Sequence, residues 1–132
     1  MNEKNYPQLG DTLDTYRLHF GVNHGNNNLA RFYHEGLNIV CAVNENQQVY
    51  NISAEADTFH KAKEQAEKFL THDAVLIETF QFDGDAVWQY HSDTLKELDL
   101  EKNYESGYAL IYINEFDGDC FASFTVASGK EV

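Results

Sequence analysis

Two stretches of the sequence nearly repeat one another at an offset of 34 residues: AVLIETFQFDGD at residues 74–85 and YALIYINEFDGD at residues 108–119. Both stretches alternate apolar and polar residues and end in Phe-Asp-Gly-Asp. Asp-Gly between two such runs is a strong signal for a β-hairpin with a two-residue turn. Each copy continues into another apolar run, at residues 86–91 and 120–127. This half of the chain therefore predicts two hairpins with equivalent acidic tips.

The sequence outside these hairpins predicts more strands. Residues 37–43 and 49–52 are apolar, β-branched runs on either side of a polar turn, and they predict another hairpin. Residues 12–22 alternate around Tyr16, Leu18 and Phe20 and predict a strand, whereas residues 29–34 are ambiguous.

Two segments have helical character. Apolar residues recur at helical spacing over residues 54–72, with Ser53 or Asp57 available as the N-cap. Residues 93–100 form a short amphipathic piece between the two acidic hairpins, with Ser92 or Asp93 available as its cap. At 132 residues the chain has the size of one domain.

These elements predict a single α+β domain over residues 11–132, preceded by a flexible arm over residues 1–10. We expect a mainly antiparallel β-sheet of about six to eight strands, built of hairpins. One main helix and one short helix are expected to cover it.

The charge of the chain is its most informative property. Asp and Glu number 22 against 9 Lys and Arg, which gives a formal net charge of -13. Residues 1–72 carry a net charge of -3 and residues 73–132 a net charge of -10. Such a surface repels nucleic acids and anionic membranes, so we expect the chain to bind neither directly.

Two features of the sequence bear on where in the cell the protein is located. It contains no run of 18 apolar residues, and its first ten residues lack the pattern of a signal peptide. Cys41 and Cys120 lie in apolar, strand-like segments, which favours buried thiols over a disulfide. We therefore expect a cytoplasmic protein.

The patterns that carry catalysis or metal binding are not present. The six histidines are scattered, and no HExxH, Cys-x-x-Cys, Gly-x-Ser-x-Gly, phosphate loop or dinucleotide fingerprint occurs. We expect no enzymatic activity, no cofactor and no catalytic metal. Calcium is an alternative for the two Asp-Gly-Asp tips, which resemble fragments of oxygen-ligand loops but lack the closing Glu of the full pattern.

The acidic half of the chain carries many like charges, whose mutual repulsion lowers the stability of the fold. A chain that retains this cost without a metal-binding motif suggests a basic partner. Residues i and i+2 of a strand point to the same face and lie about 6.6 Å apart. This distance is of the same order as the spacing of phosphates along one DNA strand. The hairpin tips and the polar face of the connecting piece supply the candidate partner-binding residues. They are Asp83, Asp85, Asp93, Glu97, Asp99, Glu101, Glu105, Glu115, Asp117 and Asp119.

In size, acidity and clustered carboxylates the chain resembles the bacterial DNA-mimic proteins, in particular the type that targets the histone-like protein HU. This resemblance covers the character of the whole chain and includes no diagnostic motif. It implies a non-enzymatic protein that occupies the DNA-binding surface of a basic protein and blocks its binding to DNA. The alternative is an immunity protein that neutralises a basic toxin such as a nuclease.

Overall fold

The computed structural model describes residues 6–98, 107–115 and 122–129. Within these residues the chain forms three helices and one antiparallel sheet of seven strands. In chain order the elements are α1 (Leu13–Phe20), β1 (Leu29–His34), β2 (Leu37–Val43), β3 (Val49–Ala56), α2 (Phe59–Glu67), β4 (Val75–Phe82), β5 (Asp85–His91), α3 (Asp93–Leu98), β6 (Tyr108–Glu115) and β7 (Ala122–Ser128). Their order across the sheet is β1-β2-β3-β7-β6-β5-β4.

The predicted antiparallel sheet of hairpins is confirmed. β2 pairs with β3, β4 with β5, and β6 with β7, all antiparallel. In the β4–β5 turn, Asp83 has φ 53° and Gly84 has φ 87°, the left-handed pair that a two-residue type I′ turn requires. Asp-Gly is therefore the residue pair that this turn selects.

The prediction of a strand over residues 12–22 is wrong, because residues 13–20 form α1. The buried residues are Leu13, Tyr16 and Phe20, at helical spacing, whereas Leu18 is 89% exposed. The Thr12 side chain accepts a hydrogen bond from the Thr15 N–H at 3.3 Å and caps the helix. The apparent alternation around Leu18 came from an apolar residue that faces outward.

The boundaries of the predicted main helix, residues 54–72, also need correction. β3 continues through Ala56, where Ala54 pairs with Phe124 of β7, and α2 covers only Phe59–Glu67. The N-cap of α2 is Thr58, whose hydroxyl accepts a hydrogen bond from the Lys61 N–H at 3.1 Å. The expected caps, Ser53 and Asp57, do not cap this helix. For α3 the expected cap is correct, since the Ser92 hydroxyl accepts from the Leu95 N–H at 3.2 Å.

The core lies where the helices meet the sheet. Ala62 and Ala66 of α2 are fully buried, and α2 contacts β3, β6 and β7. Residues 6–10, which the sequence assigns to a flexible arm, are packed in the structure: Leu9 is buried, and its N–H donates to the Phe69 carbonyl at 2.7 Å. Among the described helices, none has both the length and the apolarity needed to cross a membrane.

The outer edge of β1 is covered by the Asn-rich loop of residues 23–28. The His24 N–H donates to the Arg31 carbonyl at 2.8 Å, and the Asn26 N–H donates to the Leu29 carbonyl at 3.0 Å. The Arg31 N–H in turn donates to Asn23 Oδ1 at 3.0 Å. Backbone groups that would otherwise remain open at a sheet edge are satisfied by this loop.

The close packing of Gly25 in this loop against the backbone of β1 leads to the first prediction. A Cβ at Gly25 would collide with the Leu29 carbonyl oxygen and lie 3.1 Å from the Arg31 nitrogen. Gly25→Ala should therefore push the loop off β1 and lower the free energy of unfolding by about 1–3 kcal/mol. Chemical denaturation measures this loss, and hydrogen exchange should show faster exchange at the Arg31 amide. Unchanged exchange at Arg31 would contradict the account.

Candidate partner-binding surface

Asp83 and Asp85 lie at the β4–β5 turn but do not share a strand face. Asp83 lies in the turn itself, and Asp85 is the first residue of β5. Asn114 of β6 donates from Nδ2 to Asp85 Oδ1 at 2.6 Å and fixes this carboxylate. The expected spacing of two residues along one strand therefore does not apply to this pair.

The end of β6 lies at the same end of the sheet as the β4–β5 turn. Ala86 pairs with Ile113, which sets the start of β5 beside the end of β6 and brings Glu115 close to Asp85. β7 begins there too, with Ala122 paired to Glu115. The candidates Asp117 and Asp119 lie between these two strands in sequence, outside the described residues.

Carboxylates from the first half of the chain also lie at this end of the sheet. None of these carboxylates is among the candidates predicted from the sequence. Glu35 is in the β1–β2 turn, and Glu55 and Asp57 stand at the end of β3, where Ala56 pairs with Ala122. The alternation Ile52, Ala54, Ala56 could have revealed that β3 continues to this point. We call this surface the acidic end, and its described carboxylates are Glu35, Glu55, Asp57, Asp83, Asp85 and Glu115.

The acidic end spreads its charges across the whole sheet. Neighbouring strands are about 4.8 Å apart, so seven strands span about 29 Å. Six described carboxylates over this breadth correspond to one per about 5 Å, and one DNA strand carries a phosphate per about 3.4 Å of helix axis. The two charge densities are of the same order.

A groove of about 890 Å³ opens at the acidic end, lined by residues of β2, β3, β7 and α2. Glu35, Glu55 and Asp57 are on its wall together with Lys61. Lys61 Nζ lies 3.6 Å from Asp57 Oδ2, and both side chains are largely exposed. Lys61 balances one of the six described carboxylates of the acidic end, so this surface keeps a net negative charge.

The other described candidates lie at the opposite end of the sheet. Asp93 and Glu97 belong to α3, which follows the last residue of β5. The seven residues of β5 separate them from the Asp83 turn by about 20 Å. The structure therefore divides the predicted acidic surface, with Asp83, Asp85 and Glu115 on one side and the α3 acids on the other. Asp99, Glu101 and Glu105 lie outside the described residues.

A hydrogen-bonded network around Asp73 anchors α3. Buried Thr71 donates to Ser92 Oγ at 2.6 Å, and Ser92 donates to Asp73 Oδ1 at 2.6 Å. The backbone N–H and the hydroxyl of Thr94 both donate to Asp73 Oδ2 at 3.0 Å. The Ser92 hydrogen bond, aided by those from Thr94, lowers the pKa of Asp73 to about 2. This carboxylate is therefore an acceptor that positions a helix.

The described residues contain no cluster suited to a metal. No group of three or more His, Cys, Asp or Glu side chains comes together in them to hold an ion. Cys41 is a free, buried thiol whose pKa is raised to about 12 by desolvation, so it is a poor nucleophile. Cys120 lies outside the described residues.

Comparison with known proteins gives no relative from which a role could be transferred. No protein family matches the chain, and neither a curated protein nor a solved structure matches it.

The Asp73 network gives the second prediction. An aspartate with a lowered folded pKa stabilises the fold above its unfolded pKa of about 3.9 and loses this effect as the pH falls through the folded value. Asp73→Asn should therefore lower Tm at pH 7 by about 3 °C, and the difference from the parent should shrink between pH 4 and pH 2. Differential scanning fluorimetry across this range measures it. Glu45→Gln, an exposed charge removal, is the control, and an equal loss in both variants would contradict the role of Asp73.

Proposed function

We propose that this chain is a non-enzymatic DNA mimic that binds the DNA-binding surface of a basic protein and excludes DNA from it. The observation that carries the proposal is the acidic end, where carboxylates from two turns and from the ends of three strands stand in a row across the sheet. A row of this kind offers Lys and Arg side chains the same contacts that phosphates offer.

Electrostatics supports binding through this surface. Charge complementarity raises the association rate and selects against acidic partners. A net charge of -13 adds a long-range attraction for any basic protein. Basic proteins that bind DNA lose affinity steeply as salt rises, and a protein that uses the same basic surface should share this dependence.

The arrangement of the helices belongs to the same proposal. α2 packs against β3, β6 and β7, and we expect the main helix to cover one face of the sheet. The strand ends, which the sheet holds in fixed register, are then the part of the molecule that meets the partner. A rigid array of charges binds with a smaller loss of conformational entropy than a flexible acidic tail.

The histone-like protein HU is the partner to test first, because the character of the whole chain resembles the DNA mimics that target it. Glu55→Gln, Asp83→Asn and Glu115→Gln combined should weaken binding to purified HU by about tenfold. The variant should also flatten the dependence of log Kd on log salt. Asp83→Asn suits the positive φ of this turn position, so folding should survive. Isothermal titration calorimetry at three salt concentrations measures both quantities.

The matched control removes the same number of charges away from the acidic end. Glu45→Gln, Glu64→Gln and Glu67→Gln are all at exposed positions and should change the affinity far less. Equal weakening by both triple variants would indicate attraction by net charge alone and would overturn the proposed surface. No binding of the parent chain to HU at low salt would exclude this partner.

A further inference from the structure

The β4 edge of the sheet is unusually apolar and open. β4 is the last strand in the sheet order, and seven of its eight residues are exposed. Val75 is 62% exposed, Ile77 53% and Phe82 50%. Natural proteins usually protect a long apolar edge, because it offers a template for another strand.

The backbone of β4 is open as well. The two-residue turn makes Phe82 and Asp85 a hydrogen-bonded pair, so the N–H and C=O groups of Thr79 and Gln81 point away from β5. In the part of the chain that the structure describes, no residue of β4 has a hydrogen bond beyond the β4–β5 ladder. On the opposite edge strand, β1, the loop of residues 23–28 bonds to Leu29 and Arg31, whereas no described loop bonds to the outer edge of β4.

We propose that β4 receives an extended segment of the basic partner, which adds to the sheet as an eighth strand. The charge around the edge selects a basic segment: Asp73, Glu78 and Asp83 lie on and beside β4, and no Lys or Arg occurs from Phe69 to Leu95. The exposed apolar side chains select a segment in which basic and apolar residues alternate. This inference rests on the proposed function and names the part of the partner that would bind.

A second copy of this chain fits the edge less well. Antiparallel pairing of two complete β4 strands sets Glu78 opposite Thr79 of the other copy and brings two acidic chains together. Each copy carries a net charge of -13, and two such chains repel each other. The charge of β4 therefore favours a basic occupant.

Two synthetic peptides with the length of β4 test the inference on the isotopically labelled chain. In one, Lys alternates with Val; in the other, Lys alternates with Pro, which keeps the charge but removes every second backbone N–H and favours polyproline II over a strand. We expect the Lys-Val peptide to bind about tenfold more tightly than the Lys-Pro peptide. It should also slow hydrogen exchange at the amides of Thr79 and Gln81.

Thr79→Pro removes an outward N–H and leaves the β4–β5 ladder intact, so it should weaken binding of the Lys-Val peptide by about tenfold. Thr79→Val keeps the N–H and serves as the control. The exchange measurement on the parent chain remains decisive if Thr79→Pro does not fold.

Three results would overturn the inference: equal binding of both peptides with shifts only at the acidic end, no binding of either peptide, or self-association that Thr79→Pro abolishes. The first of these would leave the proposed function in place. If the Lys-Val peptide slows exchange at Thr79 and Gln81 but the chain does not bind HU, the β4 edge would be supported as a binding site and HU would be rejected as the partner.

Discussion

The pairing of β3 with β7 is the contact on which the rest of the structure depends. It joins the meander β1–β3 to the meander β4–β7, with Ile52 opposite Val126 and Ala54 opposite Phe124. Ile52 and Val126 are fully buried, and each such side chain contributes about 2 kcal/mol. Because this register also aligns the strand ends, carboxylates that are far apart in sequence meet at one end of the sheet.

The acidic end has an electrostatic cost that the core must offset. Like charges at close spacing destabilise the folded state, and the effect grows as salt is lowered. The opposing contribution comes from the buried aromatic rings of Tyr16, Phe32, Phe69 and Phe124, where Tyr16 and Phe69 stack with parallel rings at 6.4 Å. A single seven-stranded sheet with this buried core therefore holds the charges of the acidic end.

The sequence predicted the parts of the fold that local chemistry decides. Asp83-Gly84 selects a type I′ turn whatever surrounds it, so the β4–β5 hairpin could be predicted. α1 was misread because the exposed Leu18 imitates the alternation of a strand, although Thr12 was available as a helix cap. Of the acidic end, the sequence indicated Asp83, Asp85 and Glu115. Glu35, Glu55 and Asp57 were missed, because only the long-range β3–β7 pairing brings them there.

On the proposed function, this chain and DNA compete for one basic surface. Analytical ultracentrifugation of a fluorescently labelled DNA duplex with HU and increasing amounts of the chain tests it most directly. We expect the labelled duplex to leave the complex and to sediment as free DNA once the chain saturates HU, because carboxylates then occupy the contacts of the phosphates. A labelled complex that becomes heavier as the chain is added, with DNA and chain bound together, would contradict it.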